Sequence, residues 1–287
     1  MSPYRTARFR ALGFDFAVDT GDAAIGRHLD AALGALRVPG APCHRYSIDG
    51  AGGGITLSLD GHRLVAVDDR AAALSHLLWD VNRRAIEAGG LRHLVLHAAA
   101  AEHGGQVVVL PGPSGSGKTT LVAALVRAGL RYVTDEAVAL GLDDRLVHPY
   151  AKPLDVDAGS WAVLADLAPA ADPDLAPYPK DQWHLPPASL GSAPLASPAP
   201  AILVVAPAYR PGRTTVLVPA PRSHTLVSMA EQSFNFGHHG SRALEALAGA
   251  LRRCRCFRLD YADLDRAGEL VLAALEEVAA AGTGSEQ

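Results

Sequence analysis

The sequence predicts an α/β fold with a phosphate-binding loop at its centre and a smaller, strand-rich α/β unit before it. The first observation is a run of strand, glycine-rich loop and helix in the middle of the chain. The second is a change of pattern after Gly89-Gly90, which ends an amphipathic helix. The third is the length of 287 residues, which allows one large domain or two modest ones. We predict an N-terminal α/β domain over residues 1–88, a P-loop catalytic domain over residues 89–281 and a disordered tail over residues 282–287.

Apolar alternation and helical spacing predict the elements of the N-terminal domain. Strands are predicted over residues 10–18, 44–48, 54–59 and 62–67, and helices over residues 23–36 and 71–88. Asp22 stands directly before the first helix as a candidate N-cap, whereas Gly26 and Gly34 inside it weaken that prediction. The pair Asp60-Gly61 favours a tight hairpin between two of the strands.

The central loop fits the pattern G-x-x-x-x-G-K-[ST], with Gly112, Gly117, Lys118 and Thr119 at the fixed positions. An apolar run over residues 106–110 predicts the strand before it, and residues 120–128 predict the helix after it. Glycines let the backbone aim N–H groups at a phosphate, the lysine adds charge, and the threonine hydroxyl can ligate Mg²⁺. We therefore predict that ATP and Mg²⁺ bind here, and that the nucleotide-binding residues are Gly112, Pro113, Ser114, Gly115, Ser116, Gly117, Lys118, Thr119 and Thr120.

Two adjacent acids, Asp135 and Glu136, end the next apolar strand after the loop helix. Phosphoryl transfer needs a carboxylate for Mg²⁺ and a base for the attacking hydroxyl. Because strand carboxyl ends meet at the edge of a parallel sheet that also holds the loop, we expect both acids beside the phosphates. Strand alternation would turn one toward the terminal phosphate and leave the other to support it.

Three further residues have alternative interpretations. His97 lies on an apolar strand over residues 94–101, either as a hydrogen-bonded core histidine or as an active-site group. Asp155 and Asp157 alternate on a short strand-like piece and therefore share a face, either as Mg²⁺ ligands or as a solvated edge.

The rest of the chain is predicted more coarsely. Residues 166–200 are rich in proline and alanine and predict a long irregular lid, arm or substrate-binding insert. Strands are predicted over residues 130–136, 137–142, 201–205 and 213–218, and helices over residues 223–234, 241–253 and 262–280.

Composition excludes several classes of function. A net charge of −4 gives no basic face for a nucleic acid or a membrane. The first ten residues lack the apolar run of a secretory signal, and three cysteines do not make a disulfide framework, so we expect a cytoplasmic protein. Neither the pair Cys254 and Cys256 nor the pair His238 and His239 has the spacing of a complete metal site.

The spacing of His97, the loop, Gly129 and the two acids resembles that of the HPr kinase/phosphorylase catalytic domain. The chain is still more similar to the HPr-kinase-like proteins of bacterial gene clusters for ribosomal peptides, including lasso-peptide kinases. The resemblance is strong over about residues 93–160, loose over residues 200–275 and absent before residue 70. It implies a phosphoenolpyruvate-carboxykinase-like P-loop fold, with a mixed, twisted sheet surrounded by helices.

The resemblance also implies roles for single residues. Lys118 would bind the β- and γ-phosphates, and His97 would take the place of the family histidine near them. Glu136 occupies the position of the proposed base, with Asp135 at the first position of the acidic pair. The candidate Mg²⁺ ligands are Thr119, Asp135 and Asp155.

One family signature is missing from this chain. Residues 157–160 read Asp-Ala-Gly-Ser where the family has an arginine–glycine signature. We therefore expect neither phosphorylase activity nor HPr itself as the acceptor.

These observations predict an ATP-dependent kinase that phosphorylates a hydroxyl, with a serine of a peptide or small protein as the first choice. A small-molecule kinase is the first alternative, because the segment with Lys180, Trp183 and His184 can also close over a small substrate. Lys152 or Arg213 can clamp an anionic group, although a solvated surface position is the favoured interpretation of each. A nucleotide-binding switch without phosphotransfer is the second. Oligomers are common in the HPr kinase group, so a homo-oligomer is compatible with the resemblance, although the sequence marks no interface.

Overall fold

The computed structural model describes residues 4–51, 54–169 and 182–283. The chain divides into two compact units, one of Met1–Gly89 with Lys152–Pro187 and one of Gly90–Ala151 with Ala188–Gln287. Both contain a mixed sheet with helices, which confirms the α/β class. The sequence pattern assigns residues 152–187 to the larger domain, whereas the described residues among them cluster with the N-terminal residues. Across the described ranges, no helix has both the length and the apolar character needed to cross a membrane.

The strands in chain order are β1 (Tyr4–Arg5), β2 (Phe9–Ala11), β3 (Phe14–Thr20), β4 (His44–Ala51), β5 (Gly54–Leu59), β6 (His62–Val67), β7 (His93–His103), β8 (Gln106–Pro111), β9 (Arg131–Thr134), β10 (Ala137–Gly141), β11 (Val147–His148), β12 (Leu154–Asp157), β13 (Gln182–Leu185), β14 (Ala201–Tyr209), β15 (Val216–Pro219) and β16 (Arg255–Tyr261). The helices are α1 (Ala23–Ala32), α2 (Arg70–Gly89), α3 (Lys118–Arg127), α4 (Arg222–Glu231), α5 (Phe236–His239), α6 (Ser241–Leu251) and α7 (Leu264–Thr283).

The main sheet of the first unit has the order β1-β3-β4-β5-β6, with β2 also on β3; β3 and β4 run parallel, and the other neighbours run antiparallel. The predicted N-cap is confirmed, because the Asp22 carboxylate accepts hydrogen bonds from the N–H groups of Ala24 and Ile25. A Cβ on Gly26 would lie 2.1 Å from the ring of Tyr4, so a glycine inside α1 lets the two approach. β12 and β13 form a separate antiparallel pair.

Helix α2 contributes a buried carboxylate to this unit. The hydroxyl of Tyr46 donates to Asp80 at 2.6 Å, and Arg83 and Arg84 form ion pairs with the same carboxylate. Burial favours neutral Asp80, but these three donors outweigh burial and lower its pKa. Asp80 is therefore a buried anion that ties α2 to β4.

The sheet of the second unit has the order β11-β10-β7-β8-β14-β16-β15, with β9 also on β7. β8, β14 and β16 run parallel, whereas β7 runs antiparallel to β8, and β9 and β10 run antiparallel to β7. The carboxyl ends of β8, β9, β14 and β16 therefore lie at one edge of the sheet. This edge is where a loop after β8 and acids after β9 can meet.

Helices pack around this sheet and close its core. α3 contacts β7, β8 and β9 and packs against α7, which contacts β14, β15 and β16. α6 packs against α4, β10 and β14. The core cluster combines alternate residues of β7 and β8 with apolar residues of α6, and includes Leu94, Leu96, Ala98, Val107, Val109, Ala246 and Leu247.

Several predicted elements are corrected by the structure. Strand β16 was not predicted, and the helix predicted over residues 223–234 ends at Glu231. The segment predicted as irregular contains β13 and the 3₁₀-helix Pro187–Leu190. Residues 170–181, including Lys180, lie outside the described residues.

Three boundaries also shift. The strand predicted over residues 10–18 is the two strands β2 and β3. The helix predicted over residues 23–36 ends at Ala32 and is followed by the 3₁₀-helix Gly34–Leu36. Helix α7 enters the predicted tail, whose last part, residues 284–287, lies outside the described residues.

Candidate functional site

The predicted phosphate-binding loop leaves the sheet at Pro111 and enters α3 at Lys118. Gly117 forms the N-cap of α3 in the left-handed region, with φ at +89°. Pro113, Ser114 and Gly115 are exposed at the rim of the loop, whereas Ser116 is buried. The predicted strand, loop and helix are therefore present, with the amino end of a ten-residue helix at the loop.

Two tyrosines from neighbouring strand ends hold the loop. The hydroxyl of Tyr261 donates to the carbonyl of Gly117 at 3.0 Å, and the N–H of Tyr209 donates to the carbonyl of Ser116 at 3.1 Å. A Cβ on Gly117 would lie 1.9 Å from the hydroxyl oxygen of Tyr261. Gly117 is thus required both by its backbone angle and by this close approach.

Lys118 folds back over the loop that precedes it. Its Nζ donates to the carbonyls of Gly112 at 2.7 Å and Pro113 at 2.9 Å, and the residue is only 6% exposed. Burial lowers the pKa of Lys118 to about 8, while the charges of Asp135 and Glu136 act in the opposite direction. The ammonium group is therefore within the electrostatic reach of both acids.

Asp135 and Glu136 form a bend between β9 and β10, and both strands pair with β7. The expected parallel sheet is present only in part, because β7 lies between β8 and β9 and runs antiparallel to both. A bend, and not strand alternation, places the two acidic side chains. Asp135 is 2% exposed and accepts a hydrogen bond from the hydroxyl of Tyr132 at 3.0 Å. Glu136 is half-buried, and its carbonyl accepts from the N–H of Ala98 at 3.1 Å.

His97 lies in β7 between the loop and the acids. The pairing of β7 with β8 ends at Ala98 and Pro111, and the pairing of β7 with β10 begins at His97 and Ala137. Burial lowers the pKa of His97, Lys118 lowers it further, and a hydrogen bond with Gln232 opposes both. His97 is therefore a half-buried, neutral imidazole beside Lys118 at physiological pH.

A segment after α4, which the sequence did not predict as part of the site, takes the place of β8 beside the first half of β7. The N–H of His97 donates to the carbonyl of Gln232 at 2.6 Å, and the N–H of Phe234 donates to the carbonyl of Val95 at 2.9 Å. The Asn235 side chain accepts from the N–H of Val95 at 2.9 Å. Phe234 is 47% exposed, and its ring lies 5.7 Å from that of His97.

The residues of the loop fit a bound triphosphate. Ser116 Oγ is buried and has no hydrogen-bond partner in the part of the chain that the structure describes, which suits a phosphate oxygen. The half-buried Thr119 begins α3 together with Lys118. No group of three histidine, cysteine or acidic side chains in the described ranges could hold a metal alone. Mg²⁺ at Thr119 and Asp135 would therefore share its coordination with phosphate oxygens and water.

Asp155, the third predicted Mg²⁺ ligand, belongs to the other compact unit. Its carboxylate contacts Lys152 Nζ at 2.7 Å and His184 Nδ1 at 2.6 Å. Desolvation favours the neutral acid, but Lys152 and His184 outweigh it and hold the pKa of Asp155 below its ordinary range. The carboxylate is thus engaged by two nitrogen groups, and its role as a metal ligand stays a prediction.

The cysteine pair and the histidine pair, which lack the spacing of a complete metal site, make other contacts. The thiol of Cys254 is buried and donates to the carbonyl of Ala201 at 3.3 Å, and burial raises its pKa to about 12. His239 Nε2 lies 2.6 Å from the carbonyl of Gly90.

Neither the models of known protein families nor the curated protein sequences give a match to this chain.

Proposed function

We propose that this chain is an ATP-dependent phosphotransferase, similar to HPr kinase, that moves the terminal phosphate to a hydroxyl group. The observation that carries the proposal is the convergence of Lys118, His97, Asp135 and Glu136 at the sheet edge where the glycine loop begins. The mixed order of the sheet supports assignment to the phosphoenolpyruvate-carboxykinase-like P-loop fold.

The loop and its lysine bind the donor. Backbone N–H groups of the loop and the buried Ser116 hydroxyl surround the phosphates, and Lys118 moves from the loop carbonyls to the β- and γ-phosphate oxygens. Thr119, in the first turn of α3, and the buried Asp135 would hold Mg²⁺. Bound Mg²⁺ supplies positive charge that stabilises the charge developing on the phosphates.

The two acids have different surroundings and therefore different roles. Asp135 is almost fully buried and held by Tyr132, so it is a fixed carboxylate that suits a metal ligand. Glu136 is half-buried, so an acceptor hydroxyl can approach it. Glu136 accepts the proton of that hydroxyl as the oxygen attacks the phosphorus, and ADP leaves. The neutral His97 donates a hydrogen bond to the transferred phosphoryl group.

The resemblance to peptide-tailoring HPr-kinase-like proteins supports a serine of a peptide or small protein as the acceptor. The test is a transfer assay read by mass spectrometry, with ATP, Mg²⁺ and a panel of peptides and small hydroxyl compounds. Lys118→Ala and Glu136→Gln are compared with Glu245→Gln, an exposed residue of α6.

The proposal predicts a mass gain of one phosphate on a peptide serine, lost in both site variants and kept in the Glu245 variant. Transfer to small compounds alone would identify a small-molecule kinase. Donor binding without transfer or turnover would contradict the proposal and favour a nucleotide-binding switch.

A further inference from the structure

The proposed catalytic groups lie on only one side of the phosphate-binding loop. β7, with His97, and the bend with Asp135 and Glu136 lie on one side of β8, and β14 and β16 lie on the other. Transfer requires the terminal phosphate to lie beside the acids and Lys118. The remainder of a donor bound in the loop must therefore leave over the ends of β14 and β16.

Tyr209, an exposed aromatic residue, lies where the donor would leave the loop. Tyr209 ends β14, and its backbone N–H holds the loop at Ser116. Its side chain packs edge-on against Tyr261, with ring centroids 5.5 Å apart and planes at 61°. The residue is nevertheless 50% exposed, so a ring surface remains open beside the loop.

Two arginines follow Tyr209 in a short exposed turn. Arg210 and Arg213 are both exposed, and the N–H of Arg210 donates to the carbonyl of Tyr261 at 2.7 Å, which fixes the turn beside β16. No ion pair involves either guanidinium among the residues that the structure describes. Both cations are therefore available to an anionic or aromatic ligand.

We propose that Tyr209 and the turn from Arg210 to Arg213 form the nucleoside subsite of the donor. The nucleobase stacks on the open surface of Tyr209, and the arginines interact with the base and the first phosphate. The inference rests on the proposed phosphate site and deepens it. It assigns the donor to the nucleoside triphosphates and disfavours inorganic triphosphate or pyrophosphate.

The test compares the binding of ATP and inorganic triphosphate by calorimetry. Tyr209→Ala is expected to weaken ATP binding about tenfold, since stacking on one aromatic ring contributes of this order, and to leave triphosphate binding unchanged. Tyr209→Phe keeps the ring and should keep ATP affinity. Leu244→Ala is the matched control, because Leu244 is an apolar side chain of similar exposure on α6, outside the proposed site.

Two outcomes would overturn the inference while leaving the proposed function intact. In the first, the wild-type protein binds ATP and inorganic triphosphate equally well. In the second, Tyr209→Ala leaves ATP binding unchanged. Lys118→Ala separates the two claims, because it should weaken both ligands alike. A wild-type protein that binds neither ligand would overturn the proposed function and the subsite with it.

Discussion

Replacement of Gly117 by alanine should disrupt the loop through a contact that can be isolated. Gly117 has φ at +89°, and an added Cβ would lie 1.9 Å from the hydroxyl oxygen of Tyr261. An alanine at position 117 must therefore adopt a left-handed backbone conformation, and its Cβ must displace the side chain of Tyr261. Gly115 is the matched control, because its φ is +76° and an added Cβ meets nothing within 4 Å among the described residues.

The expected losses in the free energy of unfolding follow from these two effects, the backbone conformation and the contact with Tyr261. A left-handed backbone costs an alanine about 1–2 kcal/mol relative to glycine, and Gly115→Ala should lose only this amount. Gly117→Ala should also lose the tyrosine hydrogen bond and suffer overpacking, for a total of about 3 kcal/mol. The affinity of Gly117→Ala for the nucleotide donor should also fall, since Tyr261 no longer holds the loop.

Urea unfolding followed by far-UV circular dichroism measures these changes. All three tryptophans, Trp79, Trp161 and Trp183, belong to the other compact unit, so tryptophan fluorescence provides an internal reference. Calorimetric titration with ATP measures the affinity. Equal losses of stability and of affinity in Gly115→Ala and Gly117→Ala would refute the role of the Tyr261 contact.

Three further predictions concern charge and burial. Burial lowers the pKa of Lys118 to about 8, so the affinity for triphosphate should fall as the pH rises above 8, by up to about tenfold per pH unit. Calorimetry should find this pH dependence in the wild-type protein and not in Lys118→Ala. A disulfide reagent should react with one thiol, that of Cys43, in the native protein, because the other two cysteines are buried, and with all three thiols after unfolding. Rapid labelling of all three thiols in the native protein would contradict this packing. Asp80→Ala should destabilise its unit by about 3 kcal/mol and Tyr46→Phe by about 1 kcal/mol, as measured by fluorescence-detected thermal unfolding. Equal losses of stability in the two variants would refute the assignment of Asp80 as a multiply paired anion.

The loop and its flanking elements could be predicted because the pattern is local. Gly112, Gly117 and Lys118 have fixed spacing, and the strand before them and the helix after them are continuous in sequence. β16 was missed although Phe257, Leu259 and Tyr261 alternate with charged residues, which is a usable strand signal.

The supporting contacts of the site could not be predicted, because they join distant parts of the chain. The hydroxyl of Tyr261 reaches Gly117 across 144 positions, and the Gln232 carbonyl pairs with β7 only because β8 ends where the loop begins. Asp155 is a second example. Its alternation with Asp157 was correct, but the pattern did not reveal Lys152 and His184 as partners of the carboxylate.

The central claim is that His97, Lys118, Asp135 and Glu136 act on the terminal phosphate of a bound nucleotide. A crystal structure with Mg²⁺ and a slowly hydrolysed ATP analogue tests it most directly. The account predicts the phosphates in the loop, Lys118 Nζ within hydrogen-bonding distance of the terminal phosphate, and the metal at Thr119 and Asp135. A nucleotide bound elsewhere, or one whose terminal phosphate points toward β14 and away from the acids, would contradict it.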